Sequence, residues 1–356
     1  MSVGLIKNYS LDEAEKLFSE MGEKPFRARQ LFSWLYDKNV SSFDEMTNYS
    51  KQLRTKLTDN FVVSPLQPVE KVVSPQDNSE KFLFRTRDGH YIESVLLRND
   101  NTEETRITIC VSSQIGCAMG CTFCSTAKIG FVRNLEAAEI LDQVCQIRRI
   151  TGIRNDNVVF MGMGEPFLNY DHVIRAAAIF NYSFGFHISV RRITISTCGI
   201  LPAIERYIDE RQPYNLALSL NDTESVKRTE QMPINRSYPI EKIAELLNNK
   251  FPVSRNRLTL EYVMRKDNIS QDDARRIKRL FYGTKVKLNL IPLNSGAHSL
   301  LTPTRDEIER FIKYLEIINV PVSIRKSLGS DIGGACGQLS GKRYDNGVRI
   351  DDQSDV

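Results

Sequence analysis

At 356 residues, with 41% hydrophobic and 26% charged side chains, the chain is long enough for one large globular domain and a smaller companion. Its 48 Lys and Arg against 44 Asp and Glu leave a net charge of only +4, which permits a nucleic-acid partner without demanding one. No run near twenty apolar residues occurs, and the opening MSVGLIKNYSLDEAEKLF lacks the apolar stretch of a signal peptide, so the expectation is a cytoplasmic protein with no membrane span.

Residues from about 10 to 62 carry helical spacing. Ser10 followed by Glu13 is a capping signal, and PFRARQLFSWLYDK keeps apolar residues on one face. EKFLFRTRDGHYIESVLL alternates around Asp88-Gly89, the mark of a hairpin. The polar stretch RNDNTEETR places a boundary near Asp100. Beyond it RITICVSS, NVVFMGMGEP, RRITISTCG, YNLALSLN, RLTLEYVM, KVKLNLIPLN and VPVSIRK read as strands. Helical segments such as LEAAEILDQVCQIRRIT, HVIRAAAIF and RDEIERFIKYLEII lie between many of them. This alternation implies right-handed βαβ units and a parallel sheet, open or partly closed into a barrel. The resulting division is a helical N-terminal domain over 1–65, a hairpin extension over 66–100, an α/β core over 101–340 and a flexible tail over 341–356.

Ligands of parallel α/β folds bind at the carboxyl ends of strands, and the unusual residues of this chain cluster there. Cys117, Cys121 and Cys124 stand in Cys-x3-Cys-x2-Cys spacing after the first strand, Gly164 and Glu165 follow the second, and Ser196 and Ser219 end the next two. Asn294 and Cys336 follow the last two. The chain has seven cysteines, so a complete disulfide framework is excluded, and in a reducing compartment clustered thiols more often bind metal or do chemistry. Three thiolates at this spacing suit three corners of an iron–sulfur cluster with one iron left open. A zinc site, which would need a fourth ligand, and simple packing are the alternatives.

CVSSQIGCAMGCTFCSTAKIGFVRNL, MGMGEP, ISTCG, MPIN, NLIPLN and DIGGACGQL, in that order, resemble the RlmN/Cfr family of radical S-adenosylmethionine (SAM) adenine methyltransferases. The resemblance runs from KPFRARQLFSWLY to GACGQL and is closer to the carbon-2 group than to the carbon-8 group. It implies a partial (β/α)6 radical-SAM barrel, an α/β fold with a small N-terminal helical accessory domain that binds RNA. It further implies a [4Fe–4S] cluster on Cys117, Cys121 and Cys124, whose open iron holds SAM. One electron, from a donor such as flavodoxin, would cleave SAM to a 5′-deoxyadenosyl radical. Gly164, Glu165, Ser196, Ser219, Leu220, Asn221 and Asn294 match SAM-contacting positions, with Asn221 where the family commonly has His.

Adenine carbon 2 and the methyl of SAM are both electrophilic, so direct transfer fails on polarity. The resemblance implies a relay that uses two SAM per turnover. Cys336 accepts a methyl from the first and the second activates it, the methyl carbon then joins the adenine, Glu93 removes a proton, and Cys110 releases the product by forming a disulfide with Cys336. Cys145 reads as core. Cys198 replaces a common serine near the site. Phe26, Phe32, Trp34 and Tyr36, interleaved with Lys24, Arg27, Arg29 and Lys38, read by composition as a helix with core aromatics, and by resemblance as RNA-binding. The leading function is methylation of carbon 2 of adenine in 23S rRNA and some tRNAs by a monomer. The rivals are a carbon-8 methyltransferase and a non-catalytic iron–sulfur RNA-binding protein.

Overall fold

The computed structural model of the chain describes residues 3–99, 106–251, 258–293, 302–340, 343–345 and 348–350, so the boundary expected near Asp100 and the candidate Asn294 lie outside the described residues. Three helices lead: α1 (Leu11–Glu20), α2 (Phe26–Phe32) and α3 (Lys51–Asn60). The Ser10 side chain accepts from Glu13 N while Glu13 answers to Ser10 N, the capping box that the sequence announced. Three antiparallel strands follow, β1 (Gln67–Val73), β2 (Glu80–Arg85) and β3 (Tyr91–Asn99). The Asp88-Gly89 turn joins β2 to β3 with Arg85 opposite Tyr91.

The core then alternates: β4 (Arg106–Cys110), α4 (Ala137–Thr151), β5 (Asn157–Phe160), α5 (Tyr170–Asn181), β6 (Ile193–Thr197), α6 (Leu201–Asp209), β7 (Asn215–Ser219), α7 (Ser225–Gln231), α8 (Ile240–Lys250), β8 (Leu258–Met264), α9 (Gln271–Leu280), β9 (Val286–Pro292), α10 (Arg305–Ile317) and β10 (Val322–Ile324). Strands β4 to β10 pair in parallel, each beside its neighbour in sequence, and β3–β2–β1 continue the same ten-stranded sheet antiparallel from β4. Six βα units and a closing strand are the partial (β/α)6 barrel expected. The hairpin is a three-stranded extension of that sheet; β1, with the sequence QPVEKVV, joins as its edge. In the polar C-terminal stretch, Arg343–Asp345 pairs with Val348–Ile350 as a local hairpin.

The N-terminal helices dock on α4 and α5. Tyr36 stacks on Phe186 at 4.9 Å between ring centroids, and Phe32 meets Tyr182 edge-on at 5.5 Å. Those two aromatics are core, as the composition implied, whereas Phe26 is 48% exposed and Lys38 Nζ lies 3.5 Å from the centre of the partly buried Trp34 ring. Beside them Lys7, fully buried, pairs with the equally buried Asp142 of α4. Asp142 holds that charge and also accepts from Leu66 N at 3.1 Å, so one carboxylate ties both ends of the N-terminal unit to the barrel. Burial pulls the Lys7 pKa down and Asp142 more than offsets it, leaving it above its ordinary value.

Removing one partner of such a pair leaves a buried charge uncompensated. Lys7→Met should therefore lower stability by about 3–5 kcal/mol, read as a shift in the denaturant midpoint. The double variant Lys7→Met/Asp142→Asn, which removes both charges and keeps an acceptor for Leu66 N, should recover much of the loss.

Candidate active site

The cysteine loop is closed at its neck by two short antiparallel strands, Gln114–Gly116 and Phe131–Asn134. Cys117 N donates to Gly130 O at 2.8 Å. The neck is tight: a Cβ on Gly116 would stand 1.7 Å from Gly130 O, and the backbone there has φ of +71°. Inside the loop Cys124 N donates to Cys121 O, and Thr122 N reaches Gln231 O at the end of α7. Cys117, Cys121 and Cys124 line one cavity of about 450 Å³ together with Gly164, Glu165, Ser196, Ser219, Asn221 and Cys336. The volume falls within the range of small-molecule sites, about 300–1,000 Å³.

Most of the expected residues thus meet at one mouth of the barrel. Glu165 is buried; its carboxylate accepts from Cys198 N at 2.8 Å and from Phe167 N at 3.0 Å. Burial pushes its pKa up, and the two backbone donors oppose that. It still presents acceptor capacity to the cavity, as a contact for an ammonium group would require. Leu220 lies just behind, fully buried, with its N–H on Glu261 O. Asn221 has φ of +54°, its Oδ1 accepts from Val263 N, and its amide reaches Met232 Sδ. His and Asn are both among the few side chains that tolerate this left-handed backbone, which gives a physical reason for the exchange.

The glycines of MGMGEP serve a purpose that the sequence did not reveal. A Cβ on Gly162 would stand 2.7 Å from Val111 O, and one on Gly164 2.5 Å from Gln114 Cβ. They let two chain segments touch before any ligand is considered. Between those segments runs a polar network that sequence reasoning missed. Ser112 Oγ donates to Glu93 O at 2.6 Å and accepts from Met163 N at 2.9 Å, while Ser112 N donates to Gln143 Oε1. Gln114 Oε1 accepts from Glu165 N at 2.8 Å. A signal existed in Gln143, a polar residue inside a helix that is buried nearly all round. Arg228 was also missed. Fully buried on α7, it donates to the carbonyls of Cys198, Ser219 and Leu220 and to Asn235 Oδ1, gathering the ends of β6 and β7 beside Cys121.

Cys336 sits in a segment laid across the cysteine loop: Ser125 N donates to Gly337 O at 2.7 Å and Thr126 Oγ1 to Leu339 O at 2.7 Å. Cys336 also lines a second cavity of about 420 Å³, where it meets Cys110. Burial pushes the Cys110 thiol up to about 12, the Cys336 sulfur adds to the push, and the Arg325 guanidinium opposes both. Glu93 is placed differently from the others. It is fully buried on β3 and is not among the described residues lining either cavity. Its Oε1 lies 3.1 Å from Lys81 Nζ, and its Oε2 accepts from Ser340 N at 2.6 Å, under the segment that carries Cys336. Cys145 is fully buried, and Cys198 is buried against Glu165.

The three loop thiols suit a cationic group. Burial and one another's charge push Cys117 up to about 11 and Cys121 up to about 12. Such thiols become thiolates when a metal supplies the compensating charge. Among the described residues no three His, Cys, Asp or Glu side chains are arranged to hold a single metal ion. A structural zinc site takes four ligands, whereas three thiols suit an iron–sulfur cluster, and Glu165, Ser196 and Ser219 line the same cavity.

Residues 6–63 match the family described as ribosomal RNA large subunit methyltransferase N-terminal domain, and residues 111–275 match the radical SAM superfamily. A Geobacter sulfurreducens protein named dual-specificity RNA methyltransferase RlmN is 44% identical, with 95% of this chain and 92% of that protein covered. An Aquifex aeolicus protein, probable dual-specificity RNA methyltransferase RlmN, is 42% identical over 95% of this chain and 97% of its own length. The crystal structure of a radical SAM methyltransferase from Sphaerobacter thermophilus superposes with a TM-score of 0.86 at 36% identity, covering 95% of this chain and all of that one.

The neck of the loop yields a test. Gly116→Ala should leave the barrel folded by circular dichroism but lower the iron and sulfide retained after anaerobic reconstitution, because the neck must open to admit the methyl group.

Proposed function

The chain belongs to the RlmN family of radical SAM RNA methyltransferases, and from that membership we propose that it methylates carbon 2 of adenine in 23S rRNA and in some tRNAs. SAM and a [4Fe–4S] cluster come with the superfamily, and RNA is the substrate class. The observation that carries the finer reading is the position of Cys336: it faces the cysteine-loop cavity on one side and Cys110 on the other.

Cys117, Cys121 and Cys124 would hold the cluster. Glu165, Ser196 and Ser219 would hold SAM, with Gly164, Leu220, Asn221 and Asn294 shaping the rest of that site. When bound, cluster and SAM supply and then recover one electron, and they remove one hydrogen from a methyl group. Cys336 accepts that methyl at sulfur beforehand, from a first SAM that leaves as S-adenosylhomocysteine. The activated carbon adds to the adenine ring and joins RNA to Cys336 through a methylene. Glu93 takes the ring proton once the Ser340 segment has lifted from its carboxylate. Cys110, as thiolate, attacks the Cys336 sulfur. The sulfur–carbon bond breaks towards the methylene, which gains a proton to become the product methyl, and a Cys110–Cys336 disulfide remains.

The accessory role of the N-terminal domain, residues 1–65, is RNA binding through Phe26, Arg29 and the Lys38–Trp34 pair, which keep exposed or half-exposed faces after Phe32 and Tyr36 are spent on the core. Residues 66–100 add Glu93, and 101–340 form the catalytic barrel. The protein works as a cytoplasmic monomer with an electron donor of the flavodoxin kind. No helix among the described residues is long and apolar enough to cross a membrane.

Nucleoside mass spectrometry tests the reaction. RNA from cells lacking the protein, incubated anaerobically with reconstituted enzyme, SAM and reductant, should yield 2-methyladenosine, and Cys336→Ala should yield none. The carbon-8 isomer would assign the chain to the other branch. Cys110→Ala should accumulate RNA covalently held on Cys336. In the unaltered enzyme, decay of that adduct should quicken about tenfold per pH unit from pH 7 to 9, because the attacking form is the thiolate. An ordinary thiol would level off near a pKa of about 8.5, whereas burial holds Cys110 higher.

A further inference from the structure

A relay that ends in a Cys110–Cys336 disulfide stops after one turnover unless that disulfide is reduced, and Cys336 borders two separate cavities. The second cavity, of about 420 Å³, contains both Cys110 and Cys336, whereas the first contains Cys336 but not Cys110. Met161, Glu261, Ile291, Leu339 and Cys336 form the wall that the two share. A reductant entering by the first cavity would meet Cys117, Cys121 and Cys124 before it met the disulfide. One entering by the second meets the disulfide and none of those three.

The second cavity runs into the bore of the barrel. Its lining includes the short polar side chains Thr108 on β4, Thr194 on β6, Thr259 on β8 and Asn289 on β9, beside the apolar Leu97 and Val159. Lys287 and Lys326 stand exposed at its rim and Arg325 stands beside the two cysteines, with the guanidinium also reaching Met161 Sδ. The facing acid is Glu261, whose Oε2 accepts from Asn289 at 2.8 Å. Among the described lining residues Arg325 and Lys287 stand against the single carboxylate of Glu261, a balance that favours an anion, and a lined, charged cleft concentrates the ion it attracts. Cys110 itself is only 7% exposed, so a protein dithiol would have to push its own active site into the bore, while a molecule of a few heavy atoms enters directly.

We propose that this second cavity is the entry and docking site for a small anionic thiol that reduces the Cys110–Cys336 disulfide after each turnover. The proposal rests on the relay described above. The incoming thiolate attacks one sulfur of the disulfide, forming a mixed disulfide and releasing the other cysteine as a thiolate, which Arg325 stabilises until it takes a proton. A second thiol displaces the first as their own disulfide. Two small thiols are oxidised, one protein disulfide is reduced, and both cysteines return to the state the relay needs.

The test uses full-length reconstituted enzyme, oxidised anaerobically with one equivalent of diamide, with peptide mass spectrometry to locate the disulfide and Cys110→Ser as the control. Reduction is then timed with 2-mercaptoethanesulfonate, 2-mercaptoethanol and cysteamine, each rate divided by that thiol's rate on a neutral small-molecule disulfide. The normalised rate should be highest for the sulfonate and lowest for the amine. Lys287→Glu/Lys326→Glu, altered at two exposed positions remote from the cluster loop, should slow the sulfonate about tenfold and leave the neutral thiol within about twofold. Equal normalised rates for the three thiols would overturn the proposal while leaving the relay intact. So would reduction by a thioredoxin-class protein alone. Failure of diamide to join Cys110 to Cys336 would overturn the pairing itself, and the proposal with it.

Discussion

The site depends on four residues that do no chemistry of their own, the run from Val111 to Gln114. This run must leave β4 at Cys110, pass between the Glu93 strand and the MGMGEP loop, and deliver Cys117 to the cavity. Two glycines make room for it, since a side chain at Gly162 or Gly164 would occupy the space of its backbone. Ser112 and Gln143 then satisfy the polar groups that the close approach buries. Without that run Cys110, the three loop cysteines and Glu165 would belong to separate segments of the chain. A buried polar network of this kind is costly when any member lacks a partner, so it also fixes the spacing.

Much of the architecture was legible because parallel strands buried on both faces read as apolar runs, and the helices between them keep one apolar face. All seven parallel strands stand where the alternation placed them, each shorter than the segment read for it, most of all RITICVSS, which ends as strand at Cys110, and NVVFMGMGEP, which ends at Phe160 before its glycines. The strand QPVEKVV escaped notice. It carries a proline and two charges, lies on the edge of the sheet and buries little, so it leaves almost no periodic trace. The docking of the N-terminal helices was equally silent. A Lys at position 7 looks like any exposed lysine until α4 supplies Asp142.

The candidate site shows the same division. Cysteine spacing is local, and the three loop thiols line one cavity with the serines and Glu165 that the rule of ligands at strand ends singled out. Arg228 could not be found that way. Its helix, SVKRTEQ, reads as solvated, and its meaning lies in three carbonyls contributed by residues up to thirty positions away. Glu93 was found through family likeness, but its surroundings were not, because Lys81 faces it from a neighbouring strand and Ser340 from the far end of the chain.

That last contact has a consequence for movement. Ser340 N rests on the same carboxylate that would serve as base, and Ser340 is four residues beyond Cys336. In the structure Cys336 and Cys110 line one cavity while Ser340 N covers the Glu93 carboxylate. Cys336 and the cover of the Glu93 carboxylate are thus one mechanical piece, and neither can shift far without disturbing the other.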